Sequence, residues 1–367
     1  MAKRIIYVLI CLIIQLPILS CAKSDDELIQ AASAVAGQDY TMIIKKDGSL
    51  WATGINYFGN LGIGTSGNKI TIPSKVMNDV SSVSMKATHT MIVKDDGSLW
   101  GTGWNDSGQL GNGLSNNVYN TPIMIMSDVL SVAAGDKYSL ILKKDGTLLA
   151  VGSNSNGQLG TGLYIDTLIP ITVMSGVKGI ASGYYHTMII KNDHSLWATG
   201  NNDNGQLGNG TTTNIATPTK IMTDVASVCA NYNHTLILKN DGSLWAVGNN
   251  SSGKLGSGST ESTSIPIMVA TDVLTMTAGY YHSMFVKKDY TLWAMGDNGY
   301  GQFGNGTTTD SPIPIQIMVG VSSVSAGINH SLIIKVDGTL WGMGWNNEGQ
   351  LGNGSTNSTL VPVMIME

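Results

Sequence analysis

The chain has 367 residues, only 12% of them are charged, and the formal net charge is -5. No Lys/Arg block or basic stripe breaks that balance, which excludes the electrostatic footprint of a nucleic-acid binder. Glycine is abundant at 45 residues, but it recurs at fixed spacing, which excludes low-complexity disorder.

In chain order, residues 1–20 read as a signal peptide. Lys3 and Arg4 precede an apolar run from Ile5 to Leu19 that is short for a membrane span and ends in Ser20-Cys21-Ala22. Ile18-Leu19-Ser20-Cys21 also has the form of a lipobox, in which Cys21 is lipidated and becomes the mature N-terminus. Cleavage after Ala22 is the rival reading. Residues 21–30 are a polar tether. Cys229 is the one cysteine in the body, so no internal disulfide is expected.

From residue 31 to 367 a single pattern is written seven times. Its tryptophan falls at Trp51, Trp100, Trp197, Trp245, Trp293 and Trp341, with Leu149 in the third copy, at steps of 48 or 49 residues. A fixed period of this length marks a solenoid or propeller. In the fifth copy, Pro218–Met222 and Ala226–Ala230 are short strands, the second of small side chains. His234–Lys239 is an apolar, β-branched strand. Asn240-Asp241-Gly242 is a hairpin turn, and Ser243–Gly248 is a fourth strand, followed by a long glycine-rich connection. Four antiparallel strands per period, seven times, predict an all-β, seven-bladed β-propeller. Only one connection per period is long. Taking it as the step between blades puts the Pro-x-x-Ile strand innermost and the Asp-Gly-Ser-Leu-Trp strand outermost. The C-terminal strand, Pro362–Met366, is then expected to close the ring inside the first blade.

The segments G-x-x-H-T-L-I-L-K-x-D-G-S-L-W-A-x-G-x-N-x-x-G-Q-L-G closely resemble the regulator of chromosome condensation repeat in all seven copies. The resemblance implies the seven-bladed propeller with a mixed closing blade. It says little of function, because that family spans nuclear exchange factors, ubiquitin-ligase modules and secreted bacterial inhibitors. The even period leaves no room for the β-wedge insertion of the exchange factor, and the acidic, exported chain departs from its nuclear setting. An exchange-factor-like role is therefore the disfavoured alternative. The chain looks more like the secreted bacterial propeller that inhibits β-lactamase.

Residues that recur once per copy read as scaffold. His89, His186, His234, His282 and His330 share one position, with Tyr40 and Tyr138 in the other two copies. They are expected to bond local backbone at a strand corner, not to bind a metal. Asp47, Asp96, Asp145, Asp241 and Asp337 are turn formers. The G-Q-L-G-N-G segments lack the lysine and helix of a phosphate loop. No copy carries a unique nucleophile with its base, so no catalytic residue, metal or cofactor is expected.

Residues that differ between copies point to a partner. The corner before the histidine carries Tyr184, Tyr185, Tyr232, Tyr280 and Tyr281. The segment after the fourth strand carries Tyr57, Phe58, Trp104, Tyr300 and Trp345. Strand counting puts both sets on one face, with the composition of a binding surface; the rival reading makes the rings blade caps. The expected function is a non-enzymatic, monomeric protein-binding propeller, secreted or lipid-anchored to a bacterial-type envelope through Cys21, and touching the membrane only there. The alternative is a carbohydrate-binding propeller that uses the same tyrosines with Asn201, Asn202, Asn249 and Asn250.

Overall fold

The computed structural model of the chain describes residues 30–365. The signal-peptide reading, Cys21 and all of the tether but Gln30 lie outside the described residues. Within them, twenty-eight strands form seven four-stranded antiparallel sheets, each built from four consecutive strands. Blade one is 31–77, blade two 80–126, blade three 129–174 and blade four 177–222. Blades five to seven are 225–270, 273–318 and 321–364.

Two sequence expectations about strand order are corrected. The sheets run from the small-residue strand through the histidine and tryptophan strands to the proline strand. The small-residue strands of all seven blades line the axis, so these are innermost. Only short side chains such as those of Ala31–Ala36 fit where seven strands converge. The Pro-x-x-Ile strand is outermost. That edge suits it, because a proline takes a ladder donor away and an edge strand can spare one.

The ring is not closed by a mixed blade. The last strand, Thr359–Met364, pairs with Leu340–Gly344 of its own seventh blade, and blade one holds four strands of its own. The long connection does not step between blades; it joins the third strand to the outer strand of one blade. The outer strand itself makes the crossing. It ends beside the hairpin turn of its blade, with Met77 opposite Leu50, and only two residues separate it from the next inner strand. There the Val80 amide donates to Gly48 O (2.9 Å), and every later blade repeats the bond. The last of the set runs from the Ala31 amide to Gly338 O (3.3 Å) across the seam.

A second set of seven bonds ties each long loop to the outer strand of the next blade, from Gly64 N to Asn120 O (2.8 Å) round to Gly354 N to Thr71 O (2.9 Å). Apolar cores fill the spaces between blades, and the seam core of Ala31, Ile43, Leu332, Leu340 and Ile365 is built like the rest. Ring closure is thus one of seven near-equal interfaces.

The repeat tryptophans are half-buried against these inter-blade cores, Trp197 beside Tyr138, Leu140 and Ile189. Each indole N–H also donates to a hydroxyl two residues back, Trp197 Nε1 to Ser195 Oγ at 2.8 Å. Ser195 Oγ donates in turn to Asp193 Oδ1 (2.5 Å). The aspartates of the hairpin turns are occupied in this way, and their bonds to Ser or Thr hold them below the ordinary carboxylate range.

Candidate functional site

The histidines are interior, and their bonds are not local. Each Nε2 meets the hydroxyl that follows the equivalent residue of the next blade. His186 reaches Thr235 at 3.0 Å, His234 reaches Ser283 at 2.9 Å, and His330 reaches Thr41 at 3.4 Å across the seam. Thr235 and Thr41 spend their own protons on Gln206 O and Gln350 O. Nε2 is therefore the donor there, and Nδ1 is left bare and unpartnered. Tyr40 and Tyr138 make the same step through their hydroxyls, to His89 O (2.9 Å) and His186 O (2.6 Å). A polar belt of His/Tyr and Ser/Thr thus runs round the ring. Burial lowers four of the histidines to about 3 and His234 well below its usual value. Five copies place glycine three residues before the ring, and a Cβ on Gly183 would run into the His186 imidazole as it stands.

The corner that precedes this belt and the start of the long loop lie at one end of every blade. The loop amide donates to the corner carbonyl, as Asn201 N does to Tyr185 O (2.8 Å) and Trp345 N to Asn329 O (2.8 Å). On that face the tyrosines of blades four to six are in ring contact. Tyr232 stacks on Tyr280 at 3.7 Å; Tyr184 meets Tyr185, Tyr232 and Tyr280 at 5.1, 5.4 and 6.1 Å; Tyr281 lies 4.5 Å from Tyr280. Tyr184 and Tyr280 lie over the end of the axial channel. Burial is the main cause that raises both phenols, so they stand as neutral hydrogen-bond donors. Tyr185, raised to about 12 by burial and then by Asp136, bonds the Asp136 carboxylate. At Tyr232 the backbone φ is +21°, a value that non-glycine residues rarely adopt.

The other aromatics form two separate islands. Phe58 stacks on Trp104 at 4.7 Å, and the Lys137 ammonium sits 4.9 Å from the Trp104 ring while pairing with Asp106 at 3.1 Å. Beside them Tyr57, 54% exposed, borders a recess of about 170 Å³ that also reaches Asp39. Burial, and then the charge of Glu348, raise the Asp39 carboxyl to about 6. Tyr300, 43% exposed, meets Trp345 edge-on at 4.7 Å.

The carbohydrate alternative loses its asparagines. Asn202 and Asn250 are fully buried and hold their own loops, with Asn202 Oδ1 accepting from Leu207 N and Nδ2 donating to Thr211 O and Thr213 O. Asn201 is taken by Asp203 and Gln206, and Asn249 by Asn204.

Three polar residues of this end were not singled out by sequence. Lys86 and Asn231 replace the corner glycine in copies two and five, and they meet across the channel, Lys86 Nζ to Asn231 Oδ1 at 3.1 Å. Their departure from glycine was the available signal. Lys254 stands where five other copies have Gln, is 1% exposed, and is lowered to about 8 by burial.

A closed ring of seven four-stranded blades defines a seven-bladed β-propeller. The sequence matches the model of the RCC1-like domain over residues 123–367, and models of the regulator of chromosome condensation (RCC1) repeat over 96–142 and 80–109. The chain belongs to the RCC1-like domain family. No curated protein matches it. Among solved structures it is similar to human WBSCR16, at 21% identity over 87% of this chain and 94% of that one, with a TM-score of 0.77. It is also similar to yeast RCC1 (Prp20) in complex with Kap60, at 20% identity over 100% and 91% of the two chains, with a TM-score of 0.78. Prp20p of Saccharomyces cerevisiae, described with its binding to Gsp1p and histones, gives 21% identity over 93% and 88%, with a TM-score of 0.77. These likenesses show the fold.

Proposed function

We propose that this chain is a non-enzymatic protein-binding propeller whose contact surface is the tyrosine cluster of blades four to six. One observation carries the reading. The copies agree at scaffold positions yet differ at the corners, and in three consecutive blades the variable corner places tyrosines in one touching group. Tyrosine offers large contact area with few rotatable bonds, which is why it recurs at interface hot spots. The protein partners named for Prp20 are that protein's own, and they are those of a protein that carries a ring of this build. An exchange-factor-like role has the same likeness behind it and lacks the insertion, since every period is 48 or 49 residues. For location, the basic Lys3-Arg4 and the apolar run support export, with a lipid anchor on Cys21 or plain secretion.

A photo-crosslinking residue at Tyr281, 36% exposed, and another at Ile313 on the outer strand of blade six, 52% exposed, test the surface. The reading expects a discrete protein adduct from position 281 and none from 313. Adducts only from 313 would move the interface to the rim.

A further inference from the structure

Asp39 and Glu348 bring two carboxylates together at the seam, and the described residues supply neither with a partner. Asp39 is the corner residue before Tyr40, and Glu348 comes from the long loop of blade seven. No other copy places a carboxylate at either position. The counterparts of Asp39 include Thr88 and Lys137, and those of Glu348 include Phe58 and Ser107, so the repeat does not require the pair. Burial and the charge of Glu348 act on Asp39, and among the described residues no hydrogen bond or lysine offsets them. Glu348 Oε2 is buried and unpartnered. Lys69, from the outer strand of blade one, donates instead to Asn347 O at 2.9 Å. Other carboxylates of this end are held, Asp106 by Lys137, Asp203 by Asn201 and Asp297 by Gln302. Like charges shielded from water are costly unless a cation meets them.

Asp39 also lines the recess of about 170 Å³, together with Ile55, Tyr57, Phe58 and Ala87. Thr88 Oγ1, in the same lining, is buried without a partner. Gln38 lines both this recess and the mouth under Tyr184 and Tyr280, so the recess continues the surface that the tyrosine cluster begins.

We propose that the recess receives one cationic side chain, of lysine or arginine, from the protein partner, with its charge at Asp39 and Glu348 and its methylenes along Ile55, Tyr57 and Phe58. The inference rests on the protein-binding reading above and names the chemistry that the partner brings. A long basic side chain has an apolar stem for the walls and a charged head for the carboxylates. Aromatic rings beside the carboxylates add to the attraction for a cation. Opposite charge across an interface also favours a basic partner over an acidic one. A divalent metal ion would need more oxygen ligands than two carboxylates and apolar walls provide.

Butylammonium and butylguanidinium reproduce the two side chains, and butanol is the uncharged control. Titration of the full chain at pH 7.5, followed through the ring resonances of Tyr57 and Phe58, should show both cations binding, with butanol at least tenfold weaker. Asp39→Asn and Glu348→Gln should each lose cation affinity tenfold or more. Each should also melt no lower than the wild type, because it relieves the repulsion between the two carboxylates. Tyr57→Ala removes an exposed ring, should weaken cation binding threefold or more, and carries the test if neither carboxylate variant folds. A protein captured at position 281 should bind Asp39→Asn at least tenfold more weakly than the wild type. No capture at 281 would count against the protein-binding reading, and the probes would still decide whether the recess takes a basic side chain. The proposal is overturned if neither cation binds at millimolar concentration, if butanol binds equally, or if cation or partner binding is undiminished in the folded variants.

Discussion

The Ala31 amide donates to the carbonyl of Gly338, and through that bond the first strand of blade one meets blade seven as each inner strand meets the blade before it. The seam also repeats the histidine step, from His330 to Thr41, and the loop clasp, from Gly354 to Thr71. Nothing in the ring marks where the described chain begins except the missing peptide link.

An equal seam makes an equal cost. Ile43 in the seam core and Ile237 between blades four and five are both fully buried at the same repeat position. Ile43→Ala and Ile237→Ala should each destabilise the protein by about 2–5 kcal/mol in denaturant titration, the usual range for such truncations. An effect at Ile43 below about 1 kcal/mol beside a full effect at Ile237 would mean that the seam is not packed as described.

The histidine belt makes stability depend on acid. Unfolded histidines titrate near pH 6.5, whereas four of the buried ones are lowered to about 3 and His234 well below its usual value. Between these values the unfolded chain binds more protons than the folded one, so stability falls as pH drops from 6.5 toward 3. Each histidine contributes a slope of up to about 1.4 kcal/mol per pH unit. His330→Tyr copies the residue natural to Tyr40 and Tyr138, and should reduce that slope by about one proton's worth. A slope unchanged in the variant would count against buried neutral imidazoles.

Trp197 combines packing with a hydrogen bond, and graded substitutions separate the two. Trp197→Ala should cost near the lower end of the ~3–5 kcal/mol seen for large aromatic truncations, because the ring is half-buried. Trp197→Phe keeps most of the packing and loses the bond to Ser195, for about 1 kcal/mol. Trp197→Leu should fall between them, since Leu149 serves in copy three. Equal melting of the Leu and Ala variants would contradict the packing role.

The period, the four strands per copy and the common end of corner and loop were legible in the residues, because repetition and alternation do not depend on long-range geometry. The touching of the five tyrosines followed from the adjacency of their blades. The inside of the blade was not legible. Loop length suggested that the long connection crossed between blades, but the outer strand makes that crossing, and chain reach along a strand such as Lys69–Met77 cannot be read from loop length. The proline strand was wrongly placed at the axis because proline marks an edge without saying which one; the small residues of Ala31–Ala36 were the better guide. Lys86 and Asn231 stood out as departures from glycine, but their meeting depends on how blades two and five face one another across the ring.

The central claim is that Tyr184 and Tyr280 bind a partner and do not hold the blades. The direct measurement sets affinity against melting temperature on the same Tyr280→Ala and Tyr184→Ala proteins, with the protein captured by crosslinking at position 281 as ligand. Each substitution should weaken binding by about 2 kcal/mol or more, as hot-spot truncations do. Each ring makes three ring contacts, and losing each contact should lower stability by about 0.5–1.5 kcal/mol, the worth of an aromatic pair. Normal affinity in the folded fraction together with a large fall in melting temperature would contradict the account, and would make these rings caps of the blades.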